Sequence, residues 1–129
     1  MNGNSLFTFS KKEKLTSKIV IDRIFKEGAS KFKYPFRILF LEDPQYQETF
    51  PQILISVSKR NFKRAVDRNR IKRLIREAYR LQKNELLELF PVKPAYIAIL
   101  YMSKEEICLE ELKKKLYLII KSARANTTE

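Results

Sequence analysis

Residues 95–102, AYIAILYM, carry no charge on either of the two alternating faces that an extended chain presents. A strand apolar on both alternations is stable only when both faces are covered, so this run belongs at the centre of a sheet with packing on each side. That cover must come from a chain of 129 residues, 44% of them apolar, which is room for one domain with one core.

Around the central strand the pattern switches between helical and strand periods. Thr16 or Ser17 can cap a helix over Lys18–Glu27, and Gly28 is expected to end it in the left-handed conformation. Its apolar residues form two pairs, Val20 with Ile24 and Ile21 with Phe25, together spanning about 140° of the helical wheel. One pair can seat the helix on a sheet while the other lines its rim. Pro35 opens an extended run, PFRILFLE, and a polar loop at 43–52 separates it from a second run, ILISVS. There Ile53, Ile55 and Val57 alternate with Leu54, Ser56 and Ser58, and the polar end of the second face reads either as an open sheet face or as a strand end fraying into solvent.

A helix follows over about 66–82, an amphipathic stretch NELLELF trails it, and Pro91 and Pro94 end the helical region. Leu109, Leu112, Leu116, Ile119, Ile120 and Ala123 then recur at helical spacing, opposite a face carrying Lys113, Lys114, Lys115 and Lys121. The order is helix, two or three strands, helix, strand, helix, which makes the expected class an α+β sandwich. Residues 1–10 are expected to be a flexible segment, 11–125 the single domain and 126–129 a flexible C-terminus.

Lys and Arg number 27 against 15 Asp and Glu, a formal net charge of +12 that points to a polyanionic partner. Ten of those basic residues (Lys59, Arg60, Lys63, Arg64, Arg68, Arg70, Lys72, Arg73, Arg76 and Arg80) lie in residues 59–80, with only Asp67 and Glu77 against them. On the wheel Ile71, Leu74, Ile75, Ala78 and Leu81 share one side, while Arg68, Asn69, Lys72, Arg73, Arg76 and Arg80 form a cationic stripe on the other. Ordinary solvated faces mix signs at i,i+4, and this one has few acids to do so. A polyanion that offsets the repulsion is the more economical explanation. Arg suits phosphate through its planar fork, and the aliphatic side looks built for a sheet rather than a membrane surface.

With no His and one Cys, the chain cannot form a disulfide within itself or supply the common zinc sets or Ser-His and Cys-His nucleophile pairs. Cys108 is expected to be a small core residue in a reducing compartment. Glu42, Asp43 and Glu48 fall in or beside a loop and make a poor nuclease metal site. No segment is apolar enough to span a bilayer, and the N-terminus lacks a signal-peptide pattern, so a soluble cytoplasmic protein with neither a membrane partner nor a small-molecule substrate is expected.

The string ISVSKRNFKRAVDRNRIKRLIREAYR resembles the signature region of the protein component of bacterial ribonuclease P: a strand ending in SVSK, a short loop, an Ala-Val pair, then RNR at Arg68, Asn69 and Arg70, continuing IKRLIRE. The leading helix ending in FKEG and the closing EELKKKL helix extend the likeness over most of the chain. The resemblance implies a mainly antiparallel sheet with flanking helices in the order α-β-β-β-α-β-α, with a left-handed βαβ crossover. It also implies a subunit that assists a catalytic RNA in removing the 5′ leader of precursor tRNA. The RNA would carry the chemistry with Mg²⁺, and the protein alone would be inactive.

By the same resemblance Lys59, Arg60, Lys63, Arg64, Arg68, Asn69, Arg70, Lys72, Arg73 and Arg76 would contact the catalytic RNA, with Lys11, Lys12 and Lys14 as further candidates. A cleft between the first helix and the sheet would take the leader, lined by Ile21, Phe25, Arg37, Leu39, Ser56 and Ser58. Ile21 stands where an aromatic is often found. A slip of one residue in the first strand would turn Phe36, Ile38 and Phe40 to the cleft in place of Arg37 and Leu39. From the residues alone, a ribosomal or other nucleic-acid-binding module with a basic helix, and a protein-only nuclease, remain as rivals.

Overall fold

In the computed structural model, which describes residues 11–127, a short 3₁₀ turn (Lys11–Glu13) leads into α1 (Lys18–Glu27), β1 (Ala29–Lys33), β2 (Phe36–Leu41) and β3 (Gln52–Val57). Then come α2 (Ala65–Leu81), α3 (Lys83–Glu88), β4 (Tyr96–Tyr101) and α4 (Leu109–Thr127). The expected flexible segment at 1–10 and residues 128–129 lie outside the described residues, and α4 continues past the domain boundary expected at 125.

The doubly apolar run is central, as its pattern requires. The sheet order is β1-β2-β4-β3, with β2 antiparallel to both β1 and β4 and β3 parallel to β4. The class is thus α+β with a mixed sheet, its parallel pair joined through α2 and α3. The larger core lies on the face covered by α2, α3 and α4, where Phe36, Ile38 and Phe40 of β2 meet Ile71, Ile75 and Tyr79 of α2 and Leu112, Leu116 and Ile119 of α4. On the other face the cluster among the described residues is smaller: Leu15, Ile24, Leu39 and Ala98 are buried there, with Val20, Ile21 and Leu54 packed partly against them. This unequal cover leaves room for a site.

β1 is the strand that periodicity does not locate. Its sequence ASKFK has no buried residue, because it is the sheet edge and is held by pairing to β2 through the turn at Tyr34–Pro35, a cis peptide. Gly28 corrects another expectation: it is extended, with φ −68° and ψ 150°, not left-handed. The requirement is one of space. A Cβ at Gly28 would stand 2.5 Å from the Ile24 carbonyl oxygen and 3.1 Å from that of Phe40, so only glycine lets the end of α1 abut β2. The expected core role of Cys108 also fails, since the residue is exposed just before α4 and its carbonyl accepts the Leu112 amide at 2.9 Å.

One buried ion pair fastens the approach to α1. Lys83 at the start of α3 is 1% exposed and Glu13 4%, and their Nζ and Oε1 are 2.9 Å apart. Lys83 Nζ also sits 3.9 Å from the centroid of the Phe50 ring. The segment carrying Lys12 and Lys14 is thereby pinned to the α2–α3 corner.

Candidate nucleic-acid interface

α1 crosses the sheet instead of running along it. Just before it the Leu15 amide donates to Ile53 O of β3 at 2.9 Å, and just after it Gly28 abuts Phe40 O of β2. Ile53, Ile97 and Phe40 are cross-strand neighbours, so the helix covers that end of the sheet. In the next row on its side Leu39 and Ala98 are buried beneath it, with Leu54 half-buried beside them. One row further, Phe32, Arg37, Leu100 and Ser56 pair in register on the same face, and there the cover ends. Phe32, Arg37 and Ser56 are exposed and Leu100 is half-buried.

An ion pair shows which flank of α1 overlooks this open row. Arg23 reaches Asp43, beyond the end of β2, at 3.9 Å. Successive helical residues turn by about 100°, so Phe25 projects on the opposite flank from Arg23, with Ile21 between it and the buried Ile24. Phe25 is 52% exposed and is not a core residue. Ile21 is half-buried and shares the seating of the helix with Val20 and Ile24, so the expected division into a seating pair and a lining pair is not clean. Arg37 is exposed, its Nε donating to Ser30 Oγ at 3.3 Å.

Leu39 has the expected orientation but is only 5% exposed, because α1 lies over its row. Leu39 is therefore floor beneath the helix, not open surface. The alternative register is excluded, since Phe36, Ile38 and Phe40 all belong to the larger core. Ser56 is exposed, and Ser58 is half-buried with its Oγ accepting the Arg60 amide at 3.1 Å. Sequence reasoning missed Phe32 and Leu100, which only the strand pairing reveals, and two exposed neighbours of that region, Met102 and Tyr34. The Tyr34 hydroxyl donates to Ser103 Oγ at 3.1 Å.

The basic loop after β3 borders the same end of the sheet. Asn61 Nδ2 donates to the carbonyls of Met102 and Ser103, each at 3.4 Å, and Lys59, Arg60, Lys63 and Arg64 are exposed around it. At the start of α2 the expectation of a bare cationic stripe needs correction. Arg68 Nη1 donates to the carbonyls of Phe62 and Lys63, both at 2.9 Å, so it clamps the loop. Arg70 meets Glu106 in a two-pronged ion pair, with Nε to Oε1 at 3.0 Å, and also bonds Asp67 at 2.9 Å. Glu106 lies outside the segment whose charges the helical wheel sorts. The Arg70 hydrogen bonds hold the Glu106 carboxyl below its ordinary value, and Arg80 does the same to Glu77. Asn69 and Arg73 remain exposed and Lys72 half-buried.

Further along, Lys14 and Thr16 face Lys72 and Arg76 across a 190 Å³ pocket floored by Ile53, Leu54 and Ile55 of β3. Three cations and no carboxylate line it, a setting that favours an anion. Among the described residues no three of His, Cys, Asp and Glu gather to hold a metal, and no helix is long and apolar enough to cross a membrane.

A family model described as Ribonuclease P matches residues 9–124. The ribonuclease P protein component of Porphyromonas gingivalis is 37% identical over 102 residues, which cover 79% of this chain and 74% of that one. Among solved structures, the RNase P protein of Thermotoga maritima superposes with a TM-score of 0.68 at 25% identity, over 85% of this chain and 96% of that chain. A Staphylococcus aureus RNase P protein mutant with defective mRNA degradation activity gives a TM-score of 0.72 over 88% of this chain and 90% of that one; at 23% identity this is a likeness of fold.

Proposed function

Because this chain belongs to the ribonuclease P protein family, the protein subunits of the ribonucleoprotein that matures the 5′ ends of tRNA, we propose that its two surfaces take two different RNAs. The basic loop and the exposed part of α2 bind the catalytic RNA. The open row beside α1 binds the single-stranded leader of precursor tRNA. The observation that carries this reading is the continuity of the two: β3 ends at Ser56 and Val57 where the loop of Lys59 and Arg60 begins, and Asn61 ties that loop to the end of β4.

The physical division follows from the surfaces. Phosphates of a folded RNA are neutralised by Lys59, Arg60, Lys63, Lys72 and Arg73, and each contact releases counterions. An unpaired leader has base faces to offer, and the row meets them with Phe25 above and apolar and small polar side chains below, Arg37 supplying a phosphate contact. The Mg²⁺ ions that the reaction needs are assigned to the RNA, and among the described residues no three of His, Cys, Asp and Glu gather to hold one. The protein then binds and orients, and by itself it does not cleave tRNA. The absence of His supports that, and the cytoplasm, where tRNA is processed, is its expected location.

The reading is tested by mixing the purified protein with the catalytic RNA at low Mg²⁺ and following cleavage of a precursor tRNA. Cleavage at the 5′ junction should be faster with protein than without and should be lost when the RNA is omitted. Cleavage by the protein alone would overturn the assignment of chemistry to RNA. Tight RNA binding with no change in processing would favour a general nucleic-acid-binding module instead.

A further inference from the structure

The outer end of the open row is an aromatic ring with no place in either core. Phe32 leaves 54% of its surface in solvent on the edge strand β1 and packs in neither apolar cluster. Its register opposite Arg37, continuing to Leu100 and Ser56, turns it to the face that α1 leaves bare. The row spans three interstrand spacings, about 14 Å, from the basic loop at one side to Phe32 at the other. A chain that starts among Lys59 and Arg60 and crosses Ser56, Leu100 and Arg37 meets Phe32 last.

The chemistry of the row selects its occupant. Cations at one end and at Arg37 suit a phosphate backbone, and a ring exposed beside a cation offers a face on which an unpaired base can stack. A duplex keeps its base faces buried and gains nothing there. A second copy of β1 pairing edge to edge is disfavoured, because Lys31 and Lys33 flank Phe32 and would be brought against their own kind.

We propose that Phe32 stacks on a base of the single-stranded 5′ leader and carries its path beyond α1 to the edge of the sheet. The inference rests on the leader reading given above. Stacking is tolerant of base identity, so the contact adds to leader affinity without selecting a sequence.

The test measures affinity of the reconstituted holoenzyme for a precursor tRNA whose leader is long enough to cross the sheet, and for the mature tRNA that lacks it. Phe32→Ala should weaken precursor binding roughly 5- to 100-fold and leave mature tRNA binding unchanged, with Phe32→Tyr restoring the wild-type value. An abasic leader nucleotide at the contact should weaken wild type in the same way and add no further loss to Phe32→Ala. If Phe25→Ala and Arg37→Ala weaken precursor binding while Phe32→Ala does not, the inference falls and the leader reading stands. If all three variants bind precursor as wild type does, the leader reading falls and takes the inference with it. Equal losses on precursor and mature tRNA, or a loss that Phe32→Tyr does not restore, would make Phe32 a structural residue and overturn the inference.

Discussion

Arg68 and Arg70 flank one asparagine and do different work. Arg68 spends one guanidinium nitrogen on two backbone carbonyls of the basic loop, so it shapes the surface as well as charging it. Arg68→Ala should cost about 1 kcal/mol of stability and weaken RNA binding, and Arg68→Lys should rescue little because the lysine side chain ends about one bond short of the Nη1 position; thermal melts and RNA titrations check both. Arg70 is held by Glu106, whose carboxyl titrates below its ordinary value of 4.5 in the folded protein. A lowered acid contributes stability above its unfolded pKa and loses it as pH falls through the lower folded value, so this contribution declines below about pH 4.5. Glu106→Gln should flatten that part of the acid limb in stability measured against pH. Phe25 belongs to the same scale: half exposed, it should tolerate Phe25→Ala with little change in melting while leader-bearing substrate binds with a loss of ~1–3 kcal/mol.

At the scale of elements, the pair Lys83–Glu13 joins the turn before α1 to α3 with both charges out of water. Removing one member breaks a buried ion pair, so Lys83→Ala or Glu13→Ala should each cost about 3–5 kcal/mol in a denaturant melt, while replacing both with apolar residues of similar volume should be nearly neutral. No local pattern announces such a pair, because the partners are 70 residues apart in the chain. β4 and α2 are legible for the opposite reason: the one is apolar on both alternations, and the other keeps an apolar side that Ile71, Ile75 and Ala78 do bury. β1 is illegible because an edge strand with no buried residue has no pattern to show, and the outer end of the open row was hidden with it. The basic stripe was legible in charge but not in partners, since Glu106 arrives from beyond β4. With Arg64, Arg68, Arg70 and Arg80 engaged within the protein and Arg76 half-buried at the pocket opposite Lys14, Lys59, Arg60, Lys63, Lys72 and Arg73 are left for phosphates. About five contacts give a log-log salt slope near −4, or roughly a hundredfold loss of affinity over a threefold rise in salt, and a nearly flat response would mean that this surface faces solvent in the complex.

Across the whole molecule, function follows from a sheet that is fully covered on one face and half covered on the other. A formal charge of +12 favours RNA in general, and in the proposed reading the geometry decides which part of which RNA goes where. Helices α2 and α4 close the large core and turn the cations of α2 and its loop outward, while α1 crosses the second face and stops short of the last row. The central claim is that this last row is where the leader is held. The most direct measurement is the ratio of mature to precursor tRNA dissociation constants, taken for the holoenzyme and for the catalytic RNA alone under the same salt and Mg²⁺. The account predicts a larger ratio in the presence of the protein, reduced toward the RNA-alone value by Arg37→Ala; a ratio unchanged by adding the protein would contradict it.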